Sequence, residues 1–466
     1  MQPETRTERD SLGSLKVPKD AYYGIQSLRA SRNFPISGTQ VHPELIRSYL
    51  LLKKAAALTH ISLKAIDVER GSAIVHAVDS LLKEDFLKYF IVDAYQAGAG
   101  TSQNMNVNEV IANRANELLG KPLGSYEPVH PNDHVNRSQS TNDSYPTAMR
   151  LASVVLSKKL FRSLYDLELS LDRKAQEFDG ILKSARTHLQ DAVPIRLGQE
   201  FSGYRDTVRA LLSLLAEAQN HLRELGIGGS AAGTGINVPK HYRSKILEEL
   251  KKLFGDLDLR PAANLFTSMQ SQLPSLIYSN SLRAIATELS RICSDLRLMS
   301  SGPSTGLGEI HLPEVQPGSS IMAGKVNPSI LEMANQVCFK VLGDDLTVAL
   351  SVQAGQLELN VMMPVIAQAS LEATDLLTHM IDTLRTRCID GIEANRKRCR
   401  DFAEHTSQIA TALNPVLGYE QVAEIAKEAV RTNQSVIALV REKKLLSESQ
   451  LQGLLDPKKL TEPPEA

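Results

Sequence analysis

The stretch Gly318–Pro328 reads GSSIMAGKVNP. A serine pair follows a glycine, a lysine stands close behind, and Asn-Pro closes the segment. Three other polar clusters lie beside helical patterns: QAGAGTSQNMN from Gln96, SQSTND from Ser138 and ARTHLQDA from Ala185. Turn and N-cap preferences explain any one of them. They explain less well why four such clusters occur in one helical chain. Many neutral donors with one lysine suit a small dicarboxylate.

Two further motifs carry weaker signals. GIGGSAAGTGIN, from Gly226, contains G-x-G-x-x-A but follows a helical pattern, whereas a dinucleotide fingerprint follows a strand. It reads as a flexible inter-helix loop. HPNDHVN puts His130 and His134 four residues apart. Ligands at that spacing need a helix, and Pro131, Asn132 and Asp133 point to a structural loop instead.

The elements that must position these clusters are mostly helices. Leu156, Leu160, Leu164, Leu167 and Leu171 step by three and four. So do Leu282, Ile285, Leu289, Ile292, Leu296 and Met299. Each set makes one apolar stripe on a long helix. Similar patterns cover roughly 193–225, 327–352 and 357–386. Five long helices predict an all-helical bundle, and stripes this continuous predict packing against other chains. The region before about 140 mixes shorter patterns with breakers, and the last part holds short helices, the last of them with a Ser447/Gln450 capping box.

Composition narrows the function classes. The 466 residues carry a net charge of −1, so no global basic field points to nucleic acid. Lys53 and Lys54 interrupt the most apolar run, which argues against a membrane span, and the charged start of the chain lacks a secretory h-region. The cysteines Cys293, Cys338, Cys388 and Cys399 show no CxxC spacing and read as reduced thiols of a cytoplasmic protein.

The motifs match a known family. GSSIMAGKVNP, GAGTSQNMNVNEVIANRA, HPNDHVNRSQSTNDSYPTAMR, RTHLQDAVPIRLGQEF and DLRLMSSGP resemble signatures of the aspartase/fumarase superfamily, in its order and over nearly the whole chain. So do the opening ERDSLGSLKVPKDAYYGIQSLRASRNFPISG and the later LELNVMMPV and TALNPVLGYE. Fumarases usually read Ser-Ser-Asn-Asp where this chain has Ser140-Thr141-Asn142-Asp143, and Gln where it has Ser102. Both differences resemble the ammonia-lyase branch, whose members split L-aspartate into fumarate and ammonia.

The resemblance implies a mainly α, three-domain fold: a mixed, mostly helical N-terminal domain (1–140), a central five-helix bundle (141–390) and a small helical C-terminal domain (391–466). It implies a cytoplasmic homotetramer with a 20-helix core and active sites each shared by three subunits. No cofactor, metal, nucleic acid or membrane partner is implied. By position in the motifs, Ser319 is the base that takes the C3 proton, with Lys325 and backbone amides supporting its oxyanion. Charge then moves onto the β-carboxylate as an aci-carboxylate, and ammonia leaves from C2. Thr101, Ser140 and Thr141 hold the β-carboxylate; Thr187, Lys325 and Asn327 hold the α-carboxylate. Asn142 and His188 contact the amino group, Ser320 flanks the base and binds substrate, and Glu332 matches the acid that orients the histidine in fumarases.

Two residues depart from the family pattern: Ala323 where proline is usual, and Ser304 where arginine is usual. The alternatives are a fumarase or another succinyl-compound lyase of the same fold, or a catalytically weak scaffold. Intact Ser319, Lys325, Asn327 and His188 speak against the scaffold, and Ser304 speaks for it.

Overall fold

The computed structural model describes residues 4–462. The chain opens with an antiparallel pair, β1 (Thr5–Asp10) and β2 (Gly13–Pro18), in which Thr5 faces Pro18. Helices α1 (Ile25–Asn33), α2 (Pro43–Ser62), α3 (Val68–Leu81) and α4 (Thr101–Leu118) follow. Next come α5 (Thr141–Glu177), the hairpin β3 (Leu182–Thr187) and β4 (Gln190–Arg196), and α6 (Leu197–Leu222). Then come α7 (Tyr242–Leu253), α8 (Leu265–Gln270), α9 (Leu273–Met299), α10 (Ser329–Gln353) and α11 (Met363–Arg387). The C-terminal part holds α12 (Arg396–His405), α13 (Asn414–Leu417), α14 (Tyr419–Thr432), α15 (Val436–Glu442), α16 (Glu448–Leu454) and α17 (Pro457–Thr461).

The five long patterns are the five long helices α5, α6, α9, α10 and α11. Their stripes are the buried faces: Leu156 to Leu171 and Leu282 to Met299 are each at most 4% exposed. The four cysteines are buried thiols without disulfides. The Ser447/Gln450 capping box forms, but at the start of α16 and not of the last helix, because Pro457 opens a further short helix, α17.

The described residues divide into two compact units. The first takes the chain up to Phe161, with Ser213–Ala284 and Phe339–Leu377; the second takes Arg162–Leu212, Ile285–Cys338 and the chain from Thr378. The division cuts all five long helices. In the second unit, a small apolar cluster including Ile409, Leu413, Val422, Ile425, Val436 and Val440 holds the C-terminal helices.

Two segments differ from their sequence reading. The helical pattern read from about 193 begins in a strand: β4 runs to Arg196 and pairs with β3 in a hairpin that carries Thr187 and His188. Its two-residue turn, His188-Leu189, has φ of 55° and 58°. Turns of this type ordinarily carry Asn-Gly, so the sequence signal was missing. The HPNDHVN segment forms one wide helical turn, Pro131–Val135, not an open loop. Pro131 stands at its first turn, where no helical N–H is needed.

Among the described residues, no helix is long and apolar enough to cross a membrane.

Candidate active site

In the first unit, two threonines open helices. Thr101 is the first residue of α4 and Thr141 the first residue of α5. Helix N-termini present unsatisfied N–H groups and a positive dipole end, which suits carboxylates. Gly100 precedes Thr101 at φ +83°, and a Cβ there would collide with the Tyr145 ring. Ala99 N–H donates to Val361 O at 2.9 Å, so the LELNVMMPV segment holds the turn before Thr101. Thr101 is exposed and lines a cavity of about 560 Å³ whose wall includes Arg9, Arg29 and His130.

Asp143 organises the Ser140–Asn142 turn. One carboxylate oxygen accepts from Ser140 N–H at 2.9 Å; the other accepts from Gly228 and Ser230 N–H, both at 2.9 Å. The glycine-rich loop is therefore fixed, not free. Gly228 has φ +88°, and a Cβ at Gly226 would collide with Ser268 Oγ. Asn142 Nδ2 donates to Ala231 O at 2.8 Å, which turns its Oδ1 away as an acceptor. Beneath the turn lies the fully buried Lys53. Burial pulls its ammonium down to about 7, opposed by the Asp143 carboxylate. Burial likewise pushes Asp143 up to about 6, opposed by the backbone donors and Lys53.

In the second unit, Ser319 Oγ accepts from Met322 N–H at 3.0 Å and Ile321 N–H at 3.2 Å. Two amides aimed at one oxygen stabilise negative charge there. The stretch is folded on itself: Gly318 N–H donates to Lys325 O at 2.8 Å, and Asn327 Nδ2 donates to Gly318 O at 2.7 Å. A Cβ at Gly318 would collide with the Lys325 backbone, so the stretch needs glycine there. Ser320 and Lys325 are exposed.

Thr187 and His188 are exposed at the hairpin tip. A positive φ is uncommon for histidine and more so for leucine, and such strain clusters at functional sites. Glu332 lies in the first turn of α10, 3.8 Å from Arg297. Among the described residues, no hydrogen bond joins Glu332 to His188. Ser304 is exposed, and the carbonyls of Gly306 and Leu307 just after it accept from Arg398 at 3.0 and 2.9 Å.

The structure thus brings Ser140, Thr141 and Asn142 together in the first unit, and Gly318, Ser319, Lys325 and Asn327 in the second. Lys53, Asn104, Asp143 and Ala231 escaped the sequence reading as positioning groups. Asn104 and Asp143 stood inside matched motifs; Lys53 and Ala231 did not. The histidines of HPNDHVN are occupied: His130 Nδ1 accepts from Asn132 and Asp133 N–H at 3.2 and 3.3 Å, and His134 Nδ1 accepts from His130 N–H at 2.8 Å.

Known proteins share this chain from end to end. The lyase family model matches residues 13–343, and the fumarase C C-terminus model matches 409–462. An aspartate ammonia-lyase of Bacillus subtilis is 45% identical, over 99% of this chain and 97% of the relative. One of Helicobacter pylori is 47% identical, over 98% of each. A solved Brucella melitensis chain, called fumarate lyase:delta crystallin and bound to cobalt, superposes with a TM-score of 0.95 at 47% identity, covering 99% of this chain and 100% of its own. The class II fumarase of Schistosoma mansoni superposes with a TM-score of 0.93 at 34% identity, covering 98% and 99%. With most of its length inside the family model and nearly half its residues shared with full-length relatives, the chain belongs to the lyase family of the aspartase/fumarase superfamily.

Proposed function

We propose that this protein is a carbon–nitrogen lyase that converts L-aspartate reversibly to fumarate and ammonia. The observation that carries the reading is Ser319 Oγ facing two backbone N–H groups in the small-residue loop. The full-length relatives at 45% and 47% identity, both aspartate ammonia-lyases, supply the substrate.

In this reading the Ser319 oxyanion takes the C3 proton. The electron pair left behind spreads onto the β-carboxylate, held by Thr101, Ser140 and Thr141. It then forms the C2–C3 double bond as the C–N bond breaks and its pair leaves with ammonia. Thr187, Lys325 and Asn327 hold the α-carboxylate. Asn142 presents a carbonyl oxygen to the ammonium, an assignment supported by its Nδ2 being spent on Ala231 O. His188 reaches the same group, Ser320 flanks the base and Glu332 acts through the histidine.

The protein works as a homotetramer, each site drawing on three subunits. Phe339, Leu346 and Leu350 support this: they are 62%, 61% and 59% exposed in one chain, on one stripe of α10 with Gly343 between. Leu189 beside His188 and Ile321 beside Ser320 are 70% and 89% exposed, which suits sites covered by neighbouring chains. The segments 1–140, 141–390 and 391–466 act as its domains. The enzyme is cytoplasmic, its partners are small acids and ammonia, and it needs no cofactor.

One assay tests the reading. Mixed with L-aspartate, the protein should raise fumarate absorbance quickly, and with L-malate it should not. Fumarate from malate alone would make it a fumarase; fumarate from neither would leave a lyase of another succinyl compound or the scaffold.

A further inference from the structure

Lys53 is 0% exposed, and among the described residues no carboxylate bonds it. Its three N–H groups go to three amide oxygens: Asn104 Oδ1 at 2.8 Å, Asn136 Oδ1 at 3.0 Å and Gln139 Oε1 at 3.0 Å. An ammonium only donates, so each amide must turn its oxygen inward. Asn104 is then left with its Nδ2 facing Thr141 Oγ1 at 2.9 Å and Asn136 Oδ1 at 3.2 Å. Gln139 Nε2 is spent on Val135 O and Arg137 O at 3.1 and 3.2 Å. A flip of Asn104 would bring N–H against N–H at Lys53, with buried groups left unpaired.

A threonine hydroxyl that accepts from Asn104 has one proton left, and it must point elsewhere. Among the described residues, nothing accepts that proton. We propose that Lys53 is a positioning residue: through the fixed amide of Asn104 it holds Thr141 as a hydrogen-bond donor aimed at the substrate carboxylate. This rests on the reading that Thr141 holds the β-carboxylate. A threonine free to rotate would spend part of its time presenting lone pairs to an anion. The network removes that option before substrate arrives, which is the preorganisation that anion stabilisation needs. It also gives the amides of three separate motifs one physical purpose.

Asn104→Asp tests the polarity. The new carboxylate keeps the shape and pairs with Lys53, but it presents only acceptors to Thr141, so the hydroxyl turns inward. The probes are L-aspartate turnover and inhibition by succinate, a dicarboxylate that has no amine to lose. Thr141→Val alone should raise the succinate Ki about tenfold, the loss of one charge-assisted bond. Asn104→Asp should raise it by a similar factor without lowering the melting temperature. kcat/KM for L-aspartate should fall further, because charge builds on that carboxylate. In the double variant Asn104→Asp should add less than about twofold. An equal factor on both backgrounds would mean simple repulsion by the new charge and would overturn the proposal. So would an unchanged Ki in Asn104→Asp. An unchanged Ki in Thr141→Val would remove Thr141 from the carboxylate and the proposal with it. If Asn104→Asp does not assemble, Lys53→Met on the same two backgrounds is read in the same way.

Discussion

Met322 N–H donates to Ser319 Oγ across 3.0 Å of a loop closed by its own backbone. The oxygen proposed as the base thus lies where an oxyanion would already be solvated by amides. A serine anion in open water would simply take a proton back. Here the donors are fixed before the reaction, so the cost of orienting them is met in folding.

Ser319→Ala should lower kcat by at least about a thousandfold, within the range of general-base contributions. The melting temperature should hold, because the hydroxyl accepts only two bonds inside an exposed loop. Steady-state kinetics beside a thermal melt decide it. Substantial turnover by a well-folded variant would take the base role from Ser319.

Ala323→Pro restores the residue usual in the family. Among the described residues none accepts a hydrogen bond from the Ala323 N–H, so the ring removes no bond. In the proposed reaction the loop orders over substrate, and the ring reduces the freedom lost in that step by about 0.4–1 kcal/mol when the native φ suits proline. KM for L-aspartate should fall up to about fivefold with kcat nearly constant. Unchanged KM would show the departure to be neutral.

Phe339→Glu with Leu346→Glu puts charge on the exposed α10 stripe. Light scattering of the wild type should give a mass near four times the 51.1 kDa chain. The double variant should give smaller species and lose activity in step, since burying two carboxylates at an apolar interface costs several kcal/mol. An active wild-type monomer would refute the shared sites.

His60 connects stability to pH. Its ring stacks on Tyr242, centroids 5.1 Å apart, and its Nε2 is buried with no partner among the described residues. Burial, reinforced by Arg137, pulls it from 6.5 to about 4. Below 6.5 the unfolded chain binds a proton that the folded chain refuses, so stability falls as pH drops toward 4 and this loss stops below that. The gap corresponds to about 3 kcal/mol per chain. His60→Phe keeps the stacking and removes the proton site. Urea midpoints at pH 7 and pH 4.5 should diverge less in the variant. Equal divergence in both proteins would mean that His60 charges in place.

The long helices were legible because helical periodicity is local: the spacing of Leu156 to Leu171 states which face is buried. The polar motifs were legible as types in a known order. What the sequence could not state was direction. Thr141 accepts from Asn104 because of Lys53, which is 51 residues from Asn104 along the chain. Asn142 turns its oxygen outward because Ala231, 89 residues away, takes its N–H. Strand pairing at Thr187 was invisible for a related reason. His188-Leu189 carries no turn signature, and its positive φ values are tolerated within the β3–β4 hairpin. Residue types and helix faces follow from near neighbours in the chain; amide orientation and strained turns follow from contacts that exist only once distant segments meet.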